Sequence, residues 1–141
     1  MQKYIRSKRK GTIEWVSAPD IKRQISYLVD GLGLEWIKKT RIYCFRSKNS
    51  KSRAYARIWG LPYVWQKALK TNPSYVIEVL SEKYDKLNYD ERNKILIHEL
   101  AHIPKTFTGS LVPHYRKGKR NFNDRVKVLV AQYKKIEKIN R

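Results

Sequence analysis

Residues 88–104 are the most constrained stretch of this sequence. Asn88 can cap a helix, and Glu91 stands three residues later, the spacing of a capping box. Asp90 and Glu91 suit the positive end of that helix. Ile95, Leu96, Ile97, Leu100 and Ala101 supply its apolar side, and Pro104 stops it. A helix with both ends specified by local chemistry must be buried on one side, and the rest of the chain has to provide the surface it packs on.

Inside this helix lies His98-Glu99-Leu100-Ala101-His102, an H-E-x-x-H motif. The four-residue spacing puts both imidazoles on one helix face, within reach of one metal ion. Glu99 is one residue round, so it sits beside the metal and not on it. There it can take a proton from an attacking water and deliver it to a leaving amine. A catalytic zinc takes three protein ligands and keeps one position open. His114, twelve residues after His102 across a loop bearing Gly109 and Pro113, is the first candidate for the third ligand. Asp124, at the start of the last helix, and Glu78 are the alternatives. The three histidines of the chain all fall within seventeen residues. Thr108 occupies the position six residues after His102, where metzincins carry their third histidine, so that pattern fails. Hydrolysis of an amide also needs a donor for the oxyanion. Tyr115, next to His114, and Lys105 are candidates, and Tyr115 is carried forward as a catalytic residue.

Elsewhere the chain alternates between helical and strand patterns. Pro19 and Asp20 open a helix in which Ile21, Ile25, Leu28, Val29 and Leu32 recur at helical spacing, and Gly31 and Gly33 end it. Residues 40–46 and 53–59 are rich in strand formers and flank a polar segment, which predicts a β-hairpin. Residues 63–70 predict a short helical turn, and residues 75–80 a third strand. That strand is expected to be the sheet edge nearest the site, where an extended substrate can add as a further strand. A last helix is expected over about residues 121–138, with Val126, Leu129, Val130, Tyr133 and Ile136 on its apolar side. The order predicts an α+β fold: an N-terminal helix, an antiparallel-type sheet of about three strands, the H-E-x-x-H helix and a C-terminal helix. Residues 1–11 read as a flexible basic arm, and residues 12–141 as one domain.

The charge is strongly positive, with 32 Lys+Arg against 12 Asp+Glu and a net charge of +20. Such a balance draws a chain to anionic partners without naming them. It is uneven. Residues 36–77 hold ten cations and no acid. Lys38, Lys39, Arg41, Arg46, Lys48, Lys51, Arg53 and Arg57 fall on or near the expected hairpin, interleaved with Tyr43, Tyr55 and Trp59. Cations and aromatics on a sheet can hold phosphates and stack bases, so DNA or RNA is a candidate partner. The lone Cys44 excludes an intrachain disulfide and a cysteine-based zinc site, and its apolar neighbours read it as a small buried hydrophobe. No segment approaches the ~18 apolar residues of a membrane span. No apolar region follows the basic N-terminus as in a signal peptide. A soluble, cytoplasmic protein without a membrane partner is expected.

The stretch HELAHIPKTFTGSLVPH, residues 98–114, closely resembles the signature of the phage metallopeptidase domain family. The upstream pieces ARIWGLPYVWQKAL and YVIEVLSEKYDKL are also similar to that family, and the resemblance covers about residues 40–135. It implies a zincin-like fold and a Zn²⁺ metallopeptidase acting on proteins or peptides. His98, His102 and His114 would be the metal ligands and Glu99 the catalytic base. More distantly, the chain is similar to SprT-like proteases, which act on proteins bound to DNA. The readings to be separated are a zinc endopeptidase, a basic nucleic-acid-binding protein with a structural metal or none, and a metal-dependent hydrolase of another bond, such as a phosphodiester.

Overall fold

The computed structural model describes residues 11–114 and 122–140. The basic arm expected over residues 1–11 therefore lies outside the described residues, apart from Gly11, and so does Tyr115. The elements run β1 (Glu14–Ser17), α1 (Pro19–Gly31), a 3-10 turn (Lys39–Arg41), β2 (Ile42–Lys48), β3 (Ala56–Gly60), α2 (Tyr63–Leu69), β4 (Tyr75–Leu80), α3 (Ser81–Tyr84), α4 (Tyr89–Leu100) and α5 (Phe122–Asn140). The architecture is α+β, with five helices and four strands among the described residues.

The sheet is mixed, in the order β1-β2-β4-β3. β1 pairs antiparallel with β2, β2 parallel with β4, and β4 antiparallel with β3. This corrects three expectations. The segments read as a hairpin are not paired with each other, because β4 lies between them. The sheet has four strands and a parallel pair, where about three antiparallel-type strands were expected. β4 is central, so the edge beside the histidines is β3. The physical reason lies in β4 itself. Tyr75, Ile77 and Val79 are at most 1% exposed on one face, and Glu78 and Leu80 are also buried on the other. A strand buried on both faces belongs inside a sheet, and a parallel neighbour requires a long crossover. Here β3 and α2 together form that crossover. β1 spans only four residues, and α3 is a single turn. Neither is long enough to show a period.

The helices begin where their local signals place them, but α4 ends at Leu100, before Pro104: Ala101 is its C-cap, and His102 lies in a turn where its N–H donates to the Glu99 carbonyl at 3.1 Å. α1 begins at Pro19 and buries Ile21, Ile25, Leu28 and Val29. α4 carries the capping box: the Glu91 N–H donates to Asn88 Oδ1 at 2.9 Å, and the Asn88 N–H donates to Glu91 Oε1 at 3.0 Å. α1 packs on β2 and α4 on β3, on the same sheet face, and α5 lies against both helices. The core between these layers joins Ile25 and Leu28 to Leu96, Ile97 and Leu100, and to Ile42, Ile77 and Val79. Tyr133 of α5 closes it, accepting from Asn93 Nδ2 at 2.8 Å and donating to Asp90 Oδ1 at 2.8 Å. Cys44 is buried on the helix-covered face, and burial pushes its thiol up to about 11, as befits an inert core residue.

Candidate metal centre

His98 on α4 and His102, in the turn just past the helix C-cap Ala101, line the cleft beside the edge strand β3, and the chain then returns to bring His114 against them. The return rests on a reciprocal latch. The Val112 N–H donates to the His102 carbonyl at 2.7 Å, and His102 Nδ1–H donates to the Val112 carbonyl at 2.6 Å. A carbonyl can only accept, so the proton of His102 sits on Nδ1 and the Nε2 lone pair is left for the cluster. Two residues beyond the latch, His114 arrives.

The loop is held to the sheet as well as to the helix. Tyr75, at the start of β4, accepts from the Gly109 N–H and donates to the Ser110 carbonyl, each at 2.8 Å. Gln66 of α2 donates to the carbonyls of Leu61 and Thr108. Gly109 has φ +94°, and a Cβ there would stand 2.4 Å from both the Leu61 carbonyl oxygen and Gln66 Nε2. Only glycine fits such a backbone so close to its neighbours. Gly109→Ala is therefore expected to cost about 1–3 kcal/mol and to weaken metal binding through His114, measured by thermal melting with and without zinc.

The three imidazoles offer ligand atoms that all lie within 4.8 Å of one another. His98 Nε2 and His114 Nε2 are 3.1 Å apart. Two nitrogens on one tetrahedral zinc, at bond lengths of about 2.0–2.1 Å, stand about 3.3 Å apart, so the His98–His114 separation suits such an ion. Burial, followed by the neighbouring His102 and His114, lowers the His98 pKa to about 4. Burial also lowers that of His102. Both are neutral at pH 7, the form that binds a metal. Phe122, the first residue of α5, backs the cluster, with its ring stacked on His102 at 4.3 Å between centroids.

Glu99 is 8% exposed, and burial alone raises its pKa to about 8. It lines, with the three histidines, a cleft of about 580 Å³ whose other wall is β3 and residues 111–113. The small side chains of Ala54 and Ala56 leave this space open. The Leu61 N–H donates to the Ser74 carbonyl and the Leu80 N–H to the Tyr55 carbonyl. By antiparallel alternation, residues 57 and 59 also bond toward β4, so Ala56 and Ile58 turn their N–H and C=O groups away from it.

The other candidates fall elsewhere. Glu78 is fully buried and takes hydrogen bonds from Arg57, Trp59 and Ser47. Burial would raise its pKa, but these bonds outweigh it and hold the carboxyl below its usual value. Asp124 lies in the first turn of α5 and is not part of the histidine cluster. Lys105 lies over the Trp36 ring at 5.5 Å and does not line the cleft. Of the eight cations singled out, Lys39 pairs with Asp30, Arg46 with Asp20 and Asp85, and Arg57 with Glu78. Arg41 reaches Thr71 and the Asn72 carbonyl. Lys38, Lys48, Lys51 and Arg53 form no ion pair among the described residues. The latch residue Val112 and the backing ring of Phe122 were not legible in the sequence, since a valine in a loop and a phenylalanine opening a helix carry no chemical signature.

One histidine from the end of α4, one from the turn that follows it, a third from a pinned return loop and a buried carboxylate beside them define a three-histidine candidate metal centre. The model of the family described as "Putative phage metallopeptidase" matches residues 13–135, and the chain belongs to that family. No curated protein and no solved structure matches it. A metallopeptidase family implies a metal cofactor and a protein or peptide substrate, in keeping with the histidine cluster. No helix among the described residues is long and apolar enough to cross a membrane.

Proposed function

We propose that this protein is a zinc-dependent endopeptidase with His98, His102 and His114 as metal ligands and Glu99 as general base. The observation that carries the reading is the convergence of three imidazole nitrogens within 4.8 Å beside a buried carboxylate in one cleft. Zinc, when bound, supplies Lewis acidity at the scissile carbonyl and eases deprotonation of the attacking water. Glu99 takes that proton and returns it to the leaving amine. His102 is fixed in tautomer and orientation by Val112. The outward backbone groups of Ala56 and Ile58 align an extended substrate along β3 by strand addition, in the role the sequence reading assigned to residues 75–80. Tyr115 is kept as a candidate donor to the oxyanion.

The test is metal content measured together with turnover. Purified protein is expected to hold zinc at close to one equivalent and to cleave casein, and a chelator is expected to remove both the metal and the activity. Protein that holds no zinc overturns the reading. Protein that holds zinc and cleaves a phosphodiester but no peptide moves the site to a different hydrolase class.

A further inference from the structure

Among the described residues, α1 and α4 pack on one face of the sheet, and the other carries exposed rings. On the other face the registers place Tyr43, Val76 and Trp59 in one row and Phe45, Glu78 and Arg57 in the next, with Trp15 opposite Ser47 beyond them. Trp15 is 49%, Tyr43 44% and Trp59 48% exposed. Trp15, Phe45, Val76 and Trp59 line a shallow apolar hollow of about 420 Å³. Large aromatic rings left open on a flat sheet are unusual on a surface with no partner.

The charge around these rings identifies the partner. The Arg57 guanidinium lies 5.4 Å from the Trp59 ring centre, Arg41 lies 6.0 Å from Tyr43, and Lys83 lies 6.0 Å from Tyr55. Among the described residues, the one carboxylate whose strand position faces this side is Glu78. It is wholly buried and paired with Arg57, so it presents no negative charge to solvent. In a chain of net charge +20, the strand positions of this face therefore combine π surfaces with neighbouring cations and, among the described residues, no exposed acid. Neighbouring strands stand about 4.8 Å apart and alternate residues about 7 Å apart, a grid on which unstacked bases can lie over rings while phosphates meet the cations. A duplex hides its base faces and cannot use the rings.

We propose that this open face binds single-stranded nucleic acid. Arg57 and Trp59 also line the histidine cleft, so a strand lying on the face runs along the rim of the site. A protein carried on that strand would be delivered to the cleft. The binding stands on the sheet face alone and holds whatever bond the cleft cuts.

The test uses the full chain with a labelled 20-nucleotide oligothymidine, a duplex of equal length, and vesicles of phosphatidylcholine with phosphatidylserine. The single strand is expected to bind at least about 10-fold tighter than the duplex and to quench tryptophan fluorescence. Tyr43→Ala and Phe45→Ala are each expected to weaken it by roughly 5-fold or more, with the salt slope unchanged, because a lost stack removes no phosphate contact. Tyr43→Phe should restore binding, which separates a lost ring from a lost fold. Equal affinity for duplex and single strand overturns the proposal. So does affinity untouched by both alanine substitutions, or vesicle binding that depends on the same rings.

Discussion

Glu99→Gln is expected to keep zinc at close to one equivalent and to lose peptide hydrolysis by about 10²–10⁴-fold, the range a positioned general base contributes. Glu99 faces the cleft but is outside the set of three converging nitrogens, so its loss leaves the ligands intact. Glutamine keeps the shape and burial of the side chain but cannot accept the proton. No described residue donates a hydrogen bond to the Glu99 carboxylate, which leaves its oxygens available to a water. Its pKa of about 8 arises from burial without a metal. A cation beside it favours the charged form and lowers that value. A base works deprotonated, so kcat/KM should rise with pH through a midpoint below 8, and Glu99→Gln should lack that limb. Zinc loss in the variant would make Glu99 a ligand. Unchanged zinc and unchanged cleavage together would remove the peptidase reading.

His102→Ala is expected to weaken zinc by more than about 100-fold and to abolish turnover, since even residues that only support a ligand cost 10–100-fold. The effect should exceed that of His114→Ala. In the proposed site His114 would contribute a ligand alone, whereas His102 would contribute a ligand and also makes one of the two bonds that latch Val112 and so place His114. Competition against a chromophoric chelator measures both variants. Zinc affinity in His102→Ala equal to that of the unaltered protein would show that the three imidazoles do not share an ion.

What could be read in advance follows from the range of each interaction. The Asn88–Glu91 box acts over one helical turn, and it formed. The i,i+4 pair His98 and His102 converges because the backbone keeps a helical sense through the turn past Leu100, where the His102 N–H donates to the Glu99 carbonyl. The strand pairing depends on partners far apart in sequence. Residues 42–48 and 56–60 carry genuine strand patterns, but nothing local says that β4 inserts between them. The same limit applied to the cations. Arg46 and Arg57 read as surface charges, yet their partners Asp20, Asp85 and Glu78 come from other elements.

The sequence by itself determined the residue types of the candidate centre: the histidines, the four-residue spacing of the first two, the carboxylate beside them, and the glycine that lets the loop return. Those follow from bond geometry and local backbone preference. Only the tertiary structure decided which strand walls the cleft, which face of the sheet stays open, and how His102 and Val112 hold the third histidine in place. Each of these depends on which apolar surfaces are buried together. The burial of β4 on both faces moved the free edge to β3, while Trp15, Tyr43 and Trp59 on the strands around it stay about half exposed.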